Sequence, residues 1–365
     1  MILRKVLTND YNEIKTLFKR NNLKIINNER WKNLWKKNPI LKNKKKWTKG
    51  WVFVENKKIV GHFGSYPTQY FHKKKNYICS VLHGWVVDKK FRSMSIMLLK
   101  KLFTERNIDF FLCTTANPIA GKILKALNAK QANSFNLKKS LFIILSLKDV
   151  MKYFFREKKI PFKNIILKII FFPLSYILKR KLNLWKNKYS EKNIIKCKKI
   201  DGRFNYLWNK NKNINKDQIL FNRDKKWLEW HLGYFLENKK AWISISLENK
   251  KINGYAICLE KSNDKHGIKR AFLIDLVSLN QTKDVSINLI GACINEANKR
   301  KCHIIEFRGF NNLKKSYINS FSPFSRKLPN NQFYYKSNKA KLDNILNKDK
   351  YWMPTYMDGD TIINF

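Results

Sequence analysis

Along the N-terminal half of the chain the apolar positions switch repeatedly between strand-like and helix-like periods. Ile2–Val6 predicts a strand. Asn9 or Asp10 then caps a helix carrying Ile14, Leu17 and Phe18. A tryptophan-rich helix around Trp31 and Trp35 follows, then a hairpin, then a strand over Val81–Val87. Leu98, Leu99, Leu102 and Phe103 fall at i, i+1, i+4 and i+5, the stripe of a helix packed on a sheet. Phe110–Thr115 predicts the next strand, Pro118–Leu127 a short helix and Phe135–Ile144 a last strand.

The same order recurs from Ile194. Glu55-Asn56-Lys57-Lys58-Ile59-Val60-Gly61 returns as Glu248-Asn249-Lys250-Lys251-Ile252-Asn253-Gly254, an offset of 193 (252 − 59). Both stretches follow apolar runs, Trp51–Val54 and Trp242–Leu247, so each predicts a hairpin turn. Trp31 and Trp35 answer to Trp227 and Trp230, Ser93 to Ser286, Phe111 to Ile305 and Asn117 to Asn311, all at offsets of 193 to 196. The second main strand is Phe272–Ser278, and its helix carries Ile287, Ile290, Ile294 and Ala297. So little drift over so many elements implies a duplicated domain. Strands followed by a βαβ crossover in each copy predict an α/β fold of the α+β mixed-sheet kind, with a parallel central pair. The expected division is 1–147 for the first domain, 148–193 for a linker and 194–365 for the second domain.

With 365 residues, 44% of them hydrophobic and 14% aromatic, the chain can bury two cores, which excludes global disorder. A formal charge of +50 attracts nucleic acid, anionic membrane or phosphorylated ligands. Yet it is spread through runs such as Lys42–Lys46 and Asn209–Asn213, and most of it reads as solvated surface. The six cysteines form no C-x-x-C pair and are expected to be reduced core residues of a cytoplasmic protein. Polar Thr8-Asn9-Asp10 leaves no room for the apolar region of a signal peptide. Between the copies, Ile165–Leu174 is apolar and flanked by Lys158, Lys159, Lys179, Arg180 and Lys181. It is too short to span a bilayer and reads either as a packed helix or as an interfacial segment in peripheral contact with anionic membrane.

Chemistry concentrates where Val81–Val87 runs into Asp88-Lys89-Lys90-Phe91-Arg92-Ser93-Met94-Ser95 and then a helix, an arrangement suited to phosphate. The stretch Val86–Leu99 resembles the signature of the GNAT N-acyltransferases, a strand, then Q/R-x-x-G-x-G/A, then a helix. Arg92 matches its first position, while Ser95 and Met97 stand where the glycine and the glycine or alanine are expected. Asn117-Pro118-Ile119-Ala120 through Leu127-Asn128-Ala129 is similar to the family's N-x-x-A…G-F helix, with Leu124 where a general-acid tyrosine often stands. With Asn222–Trp230, Trp352–Thr355 and Asp358-Gly359-Asp360, the chain resembles tandem GNAT proteins of bacterial surface-polysaccharide loci. That resemblance implies two GNAT-like domains, acyl-CoA (most simply acetyl-CoA) as cosubstrate, and no metal. It also implies that Lys90, Phe91, Arg92, Ser93 and Ser95 surround the pyrophosphate, that Val86 and Val87 pair with the pantetheine arm, and that Asn117 contacts it.

Transfer from a thioester to an amine needs a base. His83 is the only titratable base in its strand, and the bland alternative is a hydrogen-bonded strand histidine. Asp275 lies within one residue of the equivalent position, either as a catalytic group or as a partner of a Lys or Arg. The second copy has neither Arg nor Gly in Asn280–Asp284, so it is read as degenerate, shaping an acceptor cleft between the domains. Trp352, Asp358 and Asp360 either bind a sugar or form a final strand and turn, and Tyr66–Phe71 either stacks on a sugar or is a half-buried strand. The expected function is acyl transfer to an amine on a small molecule or glycan precursor, such as an amino sugar. Two alternatives stand beside it. One is a FemAB-like transferase using aminoacyl-tRNA, the reading in which nucleic acid is a partner; the other is a non-catalytic binding protein of the same fold.

Overall fold

The computed structural model describes residues 1–41, 46–132, 139–158, 173, 175–177, 180, 189–263, 267–321, 323–328 and 332–363. The apolar run 165–172 of the expected linker lies outside them. Fifteen strands occur among the described residues: β1 (Ile2–Lys5), β2 (Gly50–Glu55), β3 (Lys58–His72), β4 (Lys75–Val87), β5 (Phe110–Ala116), β6 (Lys130–Gln131), β7 (Lys139–Ile144), β8 (Ile194–Cys197), β9 (Leu220–Phe221), β10 (Ala241–Glu248), β11 (Lys251–Asn263), β12 (Ile268–Ser278), β13 (Ile304–Phe307), β14 (Phe324–Lys327) and β15 (Gln332–Lys336). The first helices are α1 (Tyr11–Arg20), α2 (Asn28–Lys36), α3 (Ser95–Phe103), α4 (Pro118–Ala126) and α5 (Leu147–Lys158).

The repeated segment folds the same way twice. Asn56 and Lys57 at φ 46° and 64°, and Asn249 and Lys250 at 50° and 63°, are left-handed pairs joining β2 to β3 and β10 to β11. Two left-handed residues give the turn whose twist matches flanking antiparallel strands. Asn117 and Asn311 repeat as well, each capping a helix by accepting from the backbone N–H three residues on, at 2.8 and 3.0 Å.

The strands form two mixed sheets. One runs β1-β2-β3-β4-β5-β15-β6, with β9 also on β3; the other runs β14-β7-β13-β12-β11-β10-β8. Each has one parallel pair, β4–β5 and β12–β13, as the crossovers predict. The compact units are not the contiguous segments expected at 1–147 and 194–365. The first unit is Met1–Phe135, Asn215–His231 and Pro329–Phe365; the second is Asn136–Ile214 and Leu232–Leu328. The reason lies in the edges of the parallel pairs. β7, the expected last strand of the first copy, pairs with β13, whereas β15 from the second copy pairs with β5. Each crossover strand therefore takes its next neighbour from the other half of the sequence.

In the first unit Phe63, Leu82, Phe111 and Cys113 face α3 and α4 and pack with Leu98, Leu99, Leu102 and Leu124. In the second, Leu273, Leu276, Ile305 and Phe307 pack on Leu289, Ile290, Cys293 and Ile294 of the helix Lys283–Lys299. All six cysteines are unpaired and buried. Among the described residues no helix is long and apolar enough to cross a membrane.

The C-terminal tail completes the first unit. Trp352 is 5% exposed, donates its indole N–H to Leu346 O at 2.8 Å and packs edge-on against Phe333 and Tyr70. Asp358 forms a buried ion pair with Arg223, Oδ1 to Nη2 2.8 Å, and Thr355 Oγ1 accepts from the same nitrogen at 2.9 Å. The sequence assigned this tail to the second domain and left sugar binding and a final strand and turn open; Trp352, Asp358 and Asp360 are internal and belong to the first unit. Tyr66 and Tyr70 are likewise buried at 0% and 1%. Removing one partner of such a pair strands a buried charge. Asp358→Ala is expected to lower stability by about 3–5 kcal/mol in urea unfolding; a loss under about 1 kcal/mol would show that the pair does not hold the tail.

Candidate active site

The site is built on the point where β4 leaves β5. The two strands pair only at Cys79–Phe110, Ser80–Phe111 and Val81–Leu112. Just beyond, β4 is bulged against β3: the register runs Gly64 opposite His83 and then His62 opposite Val86. Gly84 sits in the bulge at φ +62°, a conformation that favours glycine. A bulge bends and further twists its strand, and here it accompanies the end of the parallel pairing.

Alternation places His62, Gly64, Tyr66, His83 and Thr114 on the face opposite α3 and α4. A Cβ on Gly64 would come within 2.5 Å of His83 Nε2, so the bare glycine makes room for the imidazole. The His83 ring lies 5.5 Å from Tyr66, 6.3 Å from Trp35 and 6.2 Å from His62. Its Nε2 is buried without a hydrogen-bond partner, and Trp85 Nε1, across the bulge, is in the same state. Burial, then the neighbouring His62, pushes the His83 pKa down to about 3. His62, whose Nδ1 lies 2.7 Å from Gly84 O, is held at about 4, chiefly by burial. Both rings are neutral near pH 7.

The tail turn Gly359–Thr361 reaches the same face. Tyr66 donates to Gly359 O at 2.8 Å, Thr115 donates to Asp360 Oδ2 at 2.6 Å, and Thr114 donates to Asp360 Oδ1. Asp360 is 3% exposed, and burial raises its pKa against the opposing pull of the two threonines. Tyr66 thus packs beside the bulge histidine and bonds the tail backbone next to Asp360, whose carboxyl is held by two threonines of β5.

Beyond the bulge, Val86 and Val87 are buried, and β4 ends in a short turn, Lys89–Met94, that leads into α3. Asp88 anchors this turn: Arg20 Nε reaches its oxygens at 3.0 and 2.9 Å, and Asn21 donates at 2.7 Å. Burial opposes ionisation of Asp88, but Arg20 and Asn21 outweigh it and lower its pKa. With that carboxylate matched, Lys89, Lys90 and Arg92 remain as exposed cations, and Ser93 is exposed beside them. Phe91 is half-buried on the core, and Ser95 opens α3, whose first turn lacks a side-chain cap. The Ser95 N–H is bonded to Arg92 O, since the turn runs without a break into α3. Met97 is 41% exposed, so its bulk lies outside the core. The Asn117 oxygen is engaged in capping α4.

Asp275 does not join this constellation, for it belongs to the second unit. It is fully buried at the corresponding bulge of β12 and accepts from Tyr255 at 2.7 Å. Gly61 pairs with Val87 and Gly254 with Ser278, so the diagonal contact Tyr255–Asp275 falls where His62–Gly84 does in the first unit, made by different groups. Sequence reasoning missed His62 and Thr114, which only the strand register groups with His83, and Trp85, which stacks on Phe63 on the other face of the sheet. Among the described residues no cluster of His, Cys, Asp or Glu could hold a metal ion.

No protein-family model and no curated protein matches the sequence. Solved structures do. A probable N-acyltransferase from Enterococcus faecalis superposes with TM-score 0.55 at 10% identity, covering 92% of this chain and 72% of that one. N-myristoyltransferase of Saccharomyces cerevisiae with bound myristoyl-CoA gives 0.53 at 13% identity, covering 93% and 79%. A putative acetyltransferase from Pyrococcus horikoshii gives 0.51 at 13% identity, covering 97% and 92%. The chain has the fold of the GNAT-type N-acyltransferases.

The two buried histidines make stability pH-dependent. Both bind protons more weakly folded than unfolded, so their contribution is complete above about pH 6.5 and is lost as the pH falls. Together they should remove about 4 kcal/mol by pH 5. Urea midpoints measured from pH 7 to 5 should show His83→Asn losing about half as much as wild type; parallel curves would contradict the buried neutral ring.

Proposed function

We propose that the first unit transfers an acyl group from acyl-CoA to an amine. The observation that carries this is the pair of unpartnered polar atoms, His83 Nε2 and Trp85 Nε1, flanking the bulge where β4 parts from β5. A thioester ligand would supply an activated acyl group there. Trp85 can donate its N–H to an acyl or amide oxygen. His83 can accept a hydrogen bond from the incoming amine, although a pKa of about 3 makes it a poor resting place for a proton. The Asp360 carboxyl, its pKa raised by burial, is the better proton acceptor on this face. Lys90, Phe91, Arg92, Ser93 and Ser95 would hold the pyrophosphate, with Val86 and Val87 alongside the pantetheine arm. Asn117 would contribute through the helix it caps.

The second unit takes no cosubstrate in this reading. Its loop after β12 has left-handed Asn280 and Gln281 and no arginine, and Asp275 is tied to Tyr255. The acceptor class is taken from the sequence resemblance, a small molecule or glycan precursor with a free amine. Contact of the 151–189 segment with anionic membrane is a separate part of the proposal, checked by flotation with anionic liposomes at low salt.

Calorimetric titration with CoA tests the assignment. Arg92→Ala is expected to weaken binding by about 1.5–3 kcal/mol through loss of one charge-assisted contact, while Asp275→Asn leaves it unchanged. Unaltered affinity in Arg92→Ala would remove the phosphate site from this loop.

A further inference from the structure

Two donors of the first unit, both close to His83, lack a group of matching kind. Trp31 and Trp35 stand one turn apart on α2, with ring centres 4.8 Å apart and exposures of 1% and 6%. Trp35 donates its indole N–H to Ser65 O at 3.0 Å. Trp31 Nε1 is buried too, but it has no acceptor. An indole nitrogen can only donate, so this N–H has not recovered the bond it gave up on leaving water.

The second donor is Lys49, the residue before β2. Its ammonium lies 5.8 Å from the centre of the Trp35 ring, and the same ring is 6.3 Å from His83. The ammonium and the imidazole are thus neighbours of one indole. Lys49 donates to Thr8 Oγ1 and forms no ion pair among the described residues. Asp10 is the acid that acts on it, but that carboxylate is already held by Arg4 through both oxygens, at 2.7 and 2.9 Å, and by the Leu7 N–H at 2.7 Å. Lys49 is half-buried, and burial lowers its pKa by more than Asp10 raises it. Its charge is partly desolvated and has no carboxylate of its own.

Both groups ask for the same chemistry. A donor-only N–H and an ammonium each bind electron-rich oxygen, and the ammonium repels a second cation. A molecule whose amine sits at His83 and whose body lies along Trp35 would place its far end by Lys49 and Trp31.

We propose that the amine acceptor carries an acidic group, a carboxylate or a phosphate, which Lys49 and Trp31 bind beside Trp35. The inference rests on the acyl-transfer reading only in placing the amine at His83. Lys49 supplies the charge, its contact with the Trp35 face keeps the ammonium in place, and the Trp31 N–H takes one acid oxygen. An acceptor without the acid leaves both donors unmatched, which is how a polar site rejects an analogue lacking the group it was built to bond.

Calorimetric titration of the full chain with matched pairs of amines tests the subsite. ε-Aminocaproate against hexylamine isolates a carboxylate, and phosphoethanolamine against ethanolamine isolates a phosphate. The acid-bearing member of at least one pair is expected to bind saturably and at least tenfold tighter than its partner, and that pair identifies the acid. Lys49→Gln should abolish the preference and Trp31→Phe should reduce it severalfold. Because the protein carries +50, Lys251→Gln on an exposed turn controls for one lost charge and should leave the preference intact. No preference in either pair, or equal losses in Lys49→Gln and Lys251→Gln, overturns the subsite. Titration with CoA keeps the two readings apart: CoA binding without an acid preference sinks the subsite alone, whereas a Lys49-dependent preference without CoA binding sinks acyl transfer alone. Thermal melts with midpoints matching wild type separate lost binding from lost folding, and half-buried Lys49 carries the test if Trp31→Phe does not fold.

Discussion

The geometry of the first unit depends on how early β4 lets go of β5. Parallel strands hold each other through evenly spaced bonds, and here only three residue pairs face each other. The bulge at Gly84 turns the strand, and beyond it neither β4 nor β5 can satisfy the other along that edge. What lies past that point follows from the separation. The buried His83 and Trp85 atoms are without partners, Thr114 and Thr115 turn to Asp360, and the basic turn emerges next to an uncapped helix. A straight β4 paired to its end would have filled the gap that a ligand needs.

The tail acts as a fixed part of this arrangement. Its anchors are of different kinds: a ring packed among aromatics at Trp352, an ion pair at Asp358 and a carboxyl on two threonines at Asp360. The first two are structural, since a buried pair must be matched to be tolerated. Asp360 differs, because burial raises its pKa against the opposing pull of two threonine hydroxyls. A carboxyl held in that state suits proton exchange better than ion pairing.

The two copies have used the same bulge in opposite ways. In the first, a histidine bonded to a backbone carbonyl leaves a neighbouring imidazole nitrogen open. In the second, a tyrosine hydroxyl closes on Asp275. The charge of the second unit gathers instead around Glu306, where arginines outnumber the carboxylate they share. The shared backbone has been kept while the side chains at its special positions have diverged, which is why fold alone does not transfer a role from one copy to the other.

The sequence by itself determined the duplication, the hairpins and the mixed sheets with a parallel centre. These rest on local rules: Asn-Lys pairs tolerate left-handed turns, period-2 runs make strands, and Asn117 and Asn311 cap the helices that follow. It also marked His83, Asp275 and the Arg92 turn as unusual, because a titratable group in an apolar strand or a basic loop before a helix is visible from neighbours alone. Only tertiary structure decided which strand completes which sheet. β7 and β15 carry patterns that either parallel edge would accept, and the choice between edges is made by packing far along the chain. The same holds for His62 beside His83, for Asp360 on Thr114 and for three arginines on Glu306. These groups are 21, 246 and up to 36 residues apart, and pairing at such separations is set by register and burial, which no local period encodes.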